Sequence, residues 1–269
     1  MRRAFAEDQE QVDKLLACRD RGARPAVLWF DRPRGLRHYR DAGLESLGTL
    51  IDAGRRRDHR DPGFFDARLA QGQADDAAAR FVERNADGDL RLVTLSHRQL
   101  LQRAQTAARA AALRHRDEVL ACLSPASLAH SAAGAAQWLV CGYVLSCPES
   151  PETVPTDLRE IGPTYYAASP HLLQAQFAEL QERMHEAGAL RRRLFERFPG
   201  RTPPALGGLR GAAWRLLIGA PLRNAIGLSR VRAAHLLGDS LHGDVQAFYR
   251  ALRLEFTPLT DVPQGGGAA

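Results

Sequence analysis

The stretch EVLACLSPASLAHSAAGAAQWLVCGYVLSC, Glu118–Cys147, decides the fold class. It begins with one short apolar run, Glu118–Leu123, and ends with another, Tyr143–Cys147, and runs of this kind are typical of buried strands. The Ala-rich segment between them, Ala129–Val140, has helical periodicity. A strand, a crossover helix and a second strand form the unit from which parallel sheets are built.

The same alternation extends over most of the chain. Further helical periodicity lies in Glu7–Arg21, Leu100–Leu113 and His171–Phe198, and further apolar runs in Ala26–Phe30, Ala78–Val82, Thr164–Ala168 and Val231–Leu237. We therefore expect an α/β protein with mostly parallel sheets and covering helices. The charged run Gly54–Gly63 is interpreted as a solvated helix end.

Composition narrows the classes of function. A chain of 269 residues with 45% hydrophobic residues has the length of one large domain or two small ones. Its formal net charge is +6, but Lys14 is its single lysine and the arginines are interleaved with Asp and Glu. This pattern lacks the clustered basic face of a nucleic-acid-binding protein, so no nucleic acid is expected as a partner.

The cysteines and the N-terminus indicate the cellular setting. The four cysteines, Cys18, Cys122, Cys141 and Cys147, have no C-x-x-C spacing, so we expect buried free thiols and neither a metal site nor a disulfide framework. The N-terminus lacks the apolar core of a signal peptide, and the longest apolar stretch is too short to span a bilayer. We expect a cytoplasmic protein, with peripheral membrane contact left open.

The stretch RFVERNADGDLRLVTLSHRQLL, Arg80–Leu101, contains the most informative loop. Asn85, Asp87, Gly88 and Asp89 are turn-forming residues between two apolar runs, which predicts a hairpin connection. Ser96 precedes a helical pattern that begins near Arg98, and this position predicts an N-cap.

Six pieces of the sequence resemble, in order, the large N-terminal domain of bacterial long-chain fatty acyl-CoA synthetases, which are members of the AMP-forming, acyl-activating family. The pieces are AEDQEQVDKLLACRD (Ala6–Asp20), DRPRGLRHYRDAGLESLGTL (Asp31–Leu50), VTLSHRQLL (Val93–Leu101), RDEVLACLSPAS (Arg116–Ser127), CPESPETVPTDLREIGPTYYAASP (Cys147–Pro170) and GLSRVRAAHLLGDSLHGDVQAFYRALRL (Gly227–Leu254). The resemblance implies a partial AMP-binding (adenylation) domain over residues 1–262. The last residues, 263–269, are expected to form a disordered tail.

Enzymes of this family form an acyl-adenylate from a fatty acid and ATP with magnesium, and then transfer the acyl group to CoA. They carry a phosphate loop of the form TSGTTGxPKG, whose backbone N–H groups, hydroxyls and lysine hold phosphate oxygens. Here Glu83–Leu92 aligns with that loop, only Gly88 keeps its identity, and Arg91 takes the position of the lysine. The segment holds three carboxylates and two arginines, so its net charge has the wrong sign for ATP. The residues favour a surface turn over a phosphate cradle.

A second family motif, TAGEALGPD, corresponds to LLGDSLHGD, Leu236–Asp244. Gly238 matches its glycine and Asp239 its acidic position. With Gly88 and Arg91, these two residues make up the predicted remnant of a nucleotide-binding site. In the family motif LPLAWxxE or LPLSHxxE, Ser127 takes the aromatic or His position, which lies near the acyl substrate, and His130 takes the acidic position. The family's YGxTE motif is replaced by residues 260–264. We therefore predict no catalytic residue and no metal ligand.

These expectations lead to one preferred function and two alternatives. The preferred one is a degenerate fragment of a long-chain fatty acid–CoA ligase that is inactive alone, although its family uses fatty acid, ATP, magnesium and CoA. The first alternative is a non-catalytic lipid- or protein-binding module derived from that fold. The second is one half of a split ligase that needs a partner chain.

Overall fold

The computed structural model describes residues 3–22, 27–84, 88–123, 134–186, 215–238, 241 and 243–258. The chain forms two compact units, Met1–Gly72 and Gln73–Ala269. Asp239, Ser127, His130 and residues 260–269, on which several expectations fall, lie outside the described residues.

The first unit contains a three-stranded parallel sheet in the order β1-β2-β3. Its elements are β1 (Arg3–Ala6), α1 (Gln9–Asp20), β2 (Val27–Phe30), β3 (Leu44–Ser46), α2 (Leu47–Arg60) and α3 (Phe64–Leu69). Asp8 caps α1 by accepting a hydrogen bond from the Gln11 amide. A small core around Ala6, Val12 and Leu36 holds α1 against the sheet.

The second unit contains a hairpin and a larger sheet. Its elements are β4 (Ala77–Arg84), β5 (Leu90–Ser96), α4 (His97–Ala110), β6 (Glu118–Leu120), α5 (Ala136–Cys141), β7 (Val144–Ser146), α6 (Val154–Ile161), β8 (Tyr165–Ala168), α7 (Pro170–Glu186), a π-helical turn (Arg215–Gly219), α8 (Ala220–Ala225), β9 (Ala233–Leu236), α9 (Gly243–Ala251) and β10 (Phe256–Pro258).

The larger sheet has five parallel strands in the order β10-β9-β8-β6-β7. The chain moves from β6 to β7 on one side and then returns to β8 on the other side of β6. In open α/β sheets, such a reversal of strand order opens a crevice at the carboxyl ends of the strands, where ligands bind. The carboxyl ends of β6 and β8 are therefore the place to examine for a site.

Both faces of this sheet are covered. All four residues of β8, Tyr165–Ala168, are buried, as expected for a strand between two layers of helices. Tyr165 and Ala167 lie in one apolar cluster with Val119, while Tyr166 and Ala168 lie in the opposite cluster with residues of α6, α7 and α9. The α/β class with parallel sheets and covering helices is confirmed.

The strands β4 and β5 form a separate antiparallel hairpin, which confirms the turn predicted from the loop residues. Phe81 and Leu95 lie on the face that packs against α4 and are buried. Val82 and Leu92 pair on the other face and are 64% and 63% exposed. The expectation of a buried strand at Ala78–Val82 was wrong in this respect, because an isolated two-stranded hairpin has only one covered face.

The expectation for the charged run is confirmed, whereas the expectation for the cysteines is wrong. The charged run Gly54–Gly63 contains the last turn of α2, a helix without a buried residue, as expected for a solvated helix end. The expectation of four buried thiols was wrong, because Cys18 and Cys147 are exposed and Cys122 and Cys141 half-buried, although all four are free. No helix among the described residues is long and apolar enough to cross a membrane.

Candidate functional site

Of the ten positions that align with the phosphate loop, five lie in extended strands: Glu83 and Arg84 in β4, and Leu90, Arg91 and Leu92 in β5. Glu83 pairs with Arg91, and Arg84 pairs with Leu90, across the β4–β5 ladder. A phosphate cradle needs consecutive N–H groups that converge on one point, whereas neighbouring N–H groups of a strand point in opposite directions. These five positions therefore lack the backbone shape that holds phosphate.

Gly88 lies in the connection of this hairpin. Its φ is +91°, in the left-handed region that glycine adopts without strain, and a Cβ there would meet no atom within 4 Å. The turn therefore needs a glycine for its backbone conformation. This conformational requirement is enough to account for a glycine at position 88, and no contact with a nucleotide is needed to explain it.

Arg91, the predicted substitute for the lysine, is paired with a carboxylate. Its Nη2 lies 3.3 Å from Glu83 Oε2, across the hairpin on the face that packs against α4. Glu83 also favours the charged form of Arg103 on α4, whose pKa is lowered chiefly by burial. A phosphate group that bound Arg91 would have to compete with Glu83 and be repelled by it.

Ser96 and Gln99 form a capping box at the start of α4. The Ser96 Oγ accepts a hydrogen bond from the Gln99 amide (3.2 Å), and the Gln99 Oε1 accepts one from the Ser96 amide (3.0 Å). These two bonds satisfy N–H groups that a helix start leaves unpaired. The hydroxyl that matches the family motif therefore serves the helix, as predicted.

Gly238 follows β9 at the carboxyl edge of the parallel sheet. Its φ is +104°, and an added Cβ would lie 3.8 Å from Pro170 Cδ, at the start of α7. The preceding amide, that of Leu237, donates to the Ala168 carbonyl of β8 (3.0 Å). Gly238 thus lies beside the carboxyl end of β8, next to the crevice that the strand order predicts, and its backbone conformation also favours glycine.

Two further groups that the structure describes at this edge are neutral. Cys122 follows β6, and burial, with a smaller effect from Asp157, raises the pKa of its thiol to about 12, so the nucleophilic thiolate is disfavoured. Ser169 follows β8, and its Oγ accepts a hydrogen bond from the Leu172 amide (3.3 Å) at the start of α7. In the described part of the chain, no group of three His, Cys, Asp or Glu side chains lies where it could hold a metal ion.

Sequence reasoning missed a charged cluster at the opposite, amino-terminal edge of the sheet. Asp117, which is 3% exposed, accepts hydrogen bonds from Arg232 Nε (2.9 Å) and Thr164 Oγ1 (2.8 Å). Arg232 also donates to the carbonyls of Ala111 and Ala112 (3.1 and 3.0 Å). Since these residues precede β6, β8 and β9, the cluster joins three strands and lies away from the expected ligand edge.

A second missed group lies inside the sheet core. The hydroxyl of Tyr165 and Nδ1 of His235 are 3.0 Å apart, and both side chains are buried. Burial lowers the pKa of His235, which keeps its ring neutral.

On the other face of the sheet, the hydroxyls of Tyr166 and Tyr249 both donate to Gln176 Oε1 (3.2 and 3.3 Å). These are satisfied core polar groups without access to solvent.

Known proteins resemble this chain in structure but not in sequence. No family model matches the sequence, and no curated protein matches it at a significant level. Solved structures do match. The adenylation domain of the carboxylate reductase from Mycobacterium chelonae has a TM-score of 0.57 and 15% identity, over 86% of this chain and 35% of that one.

Two further matches agree with the first. The A-PCP didomain of carboxylic acid reductase from Segniliparus rugosus, in complex with AMP, has a TM-score of 0.54 and 15% identity, over 96% of this chain and 31% of that one. The anthranilate CoA ligase AuaEII, in complex with anthranoyl-AMP, has a TM-score of 0.55 and 13% identity, over 94% of this chain and 40% of that one. The chain spans well under half the length of each of these proteins. It has the α/β fold of the adenylation domains of adenylate-forming enzymes.

Proposed function

We propose that this chain is a degenerate relative of AMP-forming carboxylic acid–CoA ligases and does not form acyl-adenylates by itself. The observation that carries the proposal is the β4–β5 hairpin. It occupies the positions of the phosphate loop, and its Arg91 is paired with Glu83 at 3.3 Å. Adenylation requires a polyphosphate held in line with the carboxylate by preorganised donors, and a strand ladder does not supply them.

Charge supports the same proposal. Between positions 83 and 92 the carboxylates of Glu83, Asp87 and Asp89 outnumber the guanidinium groups of Arg84 and Arg91. ATP approaching this hairpin would be repelled more than attracted, and magnesium would relieve this only if ligands held it nearby. The carboxyl edge of the sheet adds no cation at Cys122, Ser169 or Gly238.

The ancestral substrate class is proposed from two sources. The sequence resemblance favours a long-chain fatty acid, with ATP, magnesium and CoA as the other reactants. Two of the similar structures contain AMP or anthranoyl-AMP, which are ligands of adenylate chemistry. We accordingly propose an ancestor that adenylated a carboxylic acid of the fatty type in the cytoplasm.

Trapping of acyl-adenylates with hydroxylamine tests this proposal. The purified chain is incubated with magnesium ATP and, in turn, with short-, medium- and long-chain fatty acids and with anthranilate. An active anthranilate CoA ligase, assayed in parallel with anthranilate, provides the positive control. We expect no hydroxamate above the level without protein for any acid. Hydroxamate formation with one acid would overturn the proposal and would identify the substrate at once.

A second candidate function is a lipid- or protein-binding module, and one observation favours it. The outer face of the hairpin exposes Val82, Leu90 and Leu92 by 63 to 65%, and contiguous exposed apolar side chains commonly mark contact surfaces. Cosedimentation with anionic vesicles, together with size-exclusion chromatography and light scattering, tests this candidate. Replacing Val82 and Leu92 with serine should abolish vesicle binding or self-association, and a monomer without vesicle affinity would count against the candidate.

A further inference from the structure

A pocket of about 200 Å³ opens at the amino-terminal ends of β9 and β10. Its polar lining groups are Arg223 on α8, Ser229 before β9 and Arg253 before β10, and its remaining lining includes Ala220, Ala251 and Leu252. The volume exceeds the roughly 30 Å³ that one water molecule occupies in the liquid. The pocket therefore has room for a small ion, and it lies at the edge of the sheet opposite to Gly238.

Arg223 is a half-buried cation, and none of the carboxylates in the described part of the chain is paired with it. Its Nε and Nη2 donate to the Leu228 carbonyl (3.1 and 2.9 Å), and Nη2 also donates to the Val231 carbonyl (2.7 Å). Its Nη1 has no hydrogen-bond partner among the residues the structure describes, and burial alone lowers the pKa of this guanidinium. The interaction free energy between an anion and a half-buried guanidinium group is more favourable than that between an anion and a fully solvated one.

Arg253 adds a second cation in an unusual backbone conformation. The Leu254 amide donates to the Tyr249 carbonyl and the Arg253 amide to the Arg250 carbonyl (both 2.9 Å), which is the Schellman pattern at the end of α9. The position in this motif that Arg253 occupies usually holds glycine, and its φ is +56°. The motif fixes the backbone of Arg253 at the rim of the pocket, which its side chain lines.

We propose that this pocket binds a phosphate oxyanion between Arg223 and Arg253, with Ser229 as a hydroxyl donor. The described lining residues include two guanidinium groups and no carboxylate, which gives this part of the pocket a net positive charge. The guanidinium fork matches the geometry of phosphate oxygens. The site is separate from the hairpin and from the carboxyl edge of the sheet, so it stands whether or not the chain adenylates any acid.

The ligand is a free phosphate or the phosphate group of a larger molecule, and titrations separate these sources. The full chain, free of magnesium and at constant ionic strength, is titrated with inorganic phosphate, pyrophosphate and ADP while amide and arginine side-chain NMR signals are followed. We expect saturable shifts around Arg223 and Arg253. Equal affinity for pyrophosphate and ADP supports binding of the phosphate alone, and tighter binding of ADP supports binding of a nucleotide phosphate.

The main test variant is Arg253→Asn, because asparagine tolerates a left-handed backbone and should leave the fold intact. We expect it to weaken phosphate binding by about tenfold, the loss typical of one charge-assisted hydrogen bond. Arg250→Gln on the same helix removes the same charge three residues earlier and should change the affinity by less than about twofold. The absence of saturable binding by the wild-type chain, or equal binding by wild type and Arg253→Asn, would overturn the proposal.

Discussion

Asp117 determines how the amino-terminal ends of three strands are joined. Burial, the largest single influence, raises the pKa of this carboxyl group. Hydrogen bonds from Arg232, Thr164 and the Arg114 amide together outweigh burial and hold the pKa below its usual value. A carboxylate with a lowered folded-state pKa stabilises the fold above its unfolded pKa, near 3.9, and loses that contribution as the pH falls through the folded value.

We predict that Asp117→Asn lowers the free energy of unfolding at neutral pH by about 1 to 3 kcal/mol, because the hydrogen bonds to a buried charge are weakened. Arg232 is 38% exposed in its side chain, so water partly replaces the lost partner and keeps the cost moderate. Urea denaturation at pH 7 and pH 3 measures the effect, and the difference between variant and wild type should shrink at the lower pH. An equal difference at both values would contradict the account.

His235 makes stability depend on pH in the same direction as Asp117, but in a higher pH range. Burial lowers its pKa, so the unfolded chain takes up a proton below about pH 6.5 while the folded chain does not. The contribution of the neutral His235 to the free energy of unfolding is therefore fully present above that pH. Below it, this contribution falls by up to about 1.4 kcal/mol per pH unit until the folded pKa is reached. We predict that His235→Gln flattens the stability profile between pH 6.5 and 5, as chemical denaturation would measure. Tyr165→Phe is the control, since it removes the hydrogen bond but keeps the imidazole, and it should retain the slope.

Gly227 and Gly238 show two different structural requirements for glycine: a positive φ, and a lack of space for a Cβ atom. Both have positive φ, +73° and +104°, but a Cβ at Gly227 would lie 2.3 Å from the backbone of Leu158, whereas the nearest atom at Gly238 is 3.8 Å away. We predict that Gly238→Ala costs about 1 kcal/mol of stability from backbone strain alone. Gly227→Ala should cost distinctly more, because α6 must shift. Similar melting temperatures for the two variants would refute this distinction.

For single residues, the sequence predicts those roles that depend only on neighbours along the chain. Gly88 and Ser96 were identified from their immediate neighbours, and the structure gives each the conformation or hydrogen bond expected. Asp117 and His235 were missed because their partners lie far along the chain, at separations of 115 residues for Arg232 and 70 for Tyr165. Polar pairs that form only when strands come together leave no pattern within one segment.

At the scale of elements, α4 depends on its capping box. Replacing Ser96 with alanine leaves the first amides of the helix unpaired, and we predict a loss of about 1 kcal/mol in stability. Ser96→Asp is the matched control, because aspartate caps helices as well as serine does and should preserve stability. Thermal denaturation followed by circular dichroism measures both variants. If Ser96→Ala were as stable as wild type, the cap would not account for the serine at this position.

Element boundaries follow the strength of the apolar pattern. The predicted runs at Thr164–Ala168 and Val231–Leu237 contain β8 and β9, since strands buried on both faces are continuously apolar. Of the helix α2, only the charged end at Gly54–Gly63 was predicted, and none of the residues of this helix is buried. The hairpin strands were recognised, but not their exposed face, because exposure depends on what packs nearby.

At the scale of the whole molecule, the order of strands and helices was predictable while the pairing of strands was not. The alternation of apolar runs and helical segments indicated parallel sheets, and the likeness to adenylation domains agrees with that class. The strand order β10-β9-β8-β6-β7 and the separation into two units depend on contacts between distant segments. Of the predicted nucleotide-binding residues, Gly88 and Arg91 lie on the hairpin and Gly238 at the sheet edge, and their joint role in binding stays a prediction.

The proposed function requires that the hairpin at positions 83–92 does not bind a nucleotide. Calorimetric titration with magnesium ATP tests it most directly, after circular dichroism has established that the sample is folded. The chain used carries both Arg223→Gln and Arg253→Asn, so that neither guanidinium group of the proposed phosphate pocket remains to contribute heat. We predict no saturable heat at millimolar ATP, and no gain when Glu83→Gln frees Arg91. Saturable binding that Arg91→Gln abolishes would contradict the account and restore the hairpin as a nucleotide site.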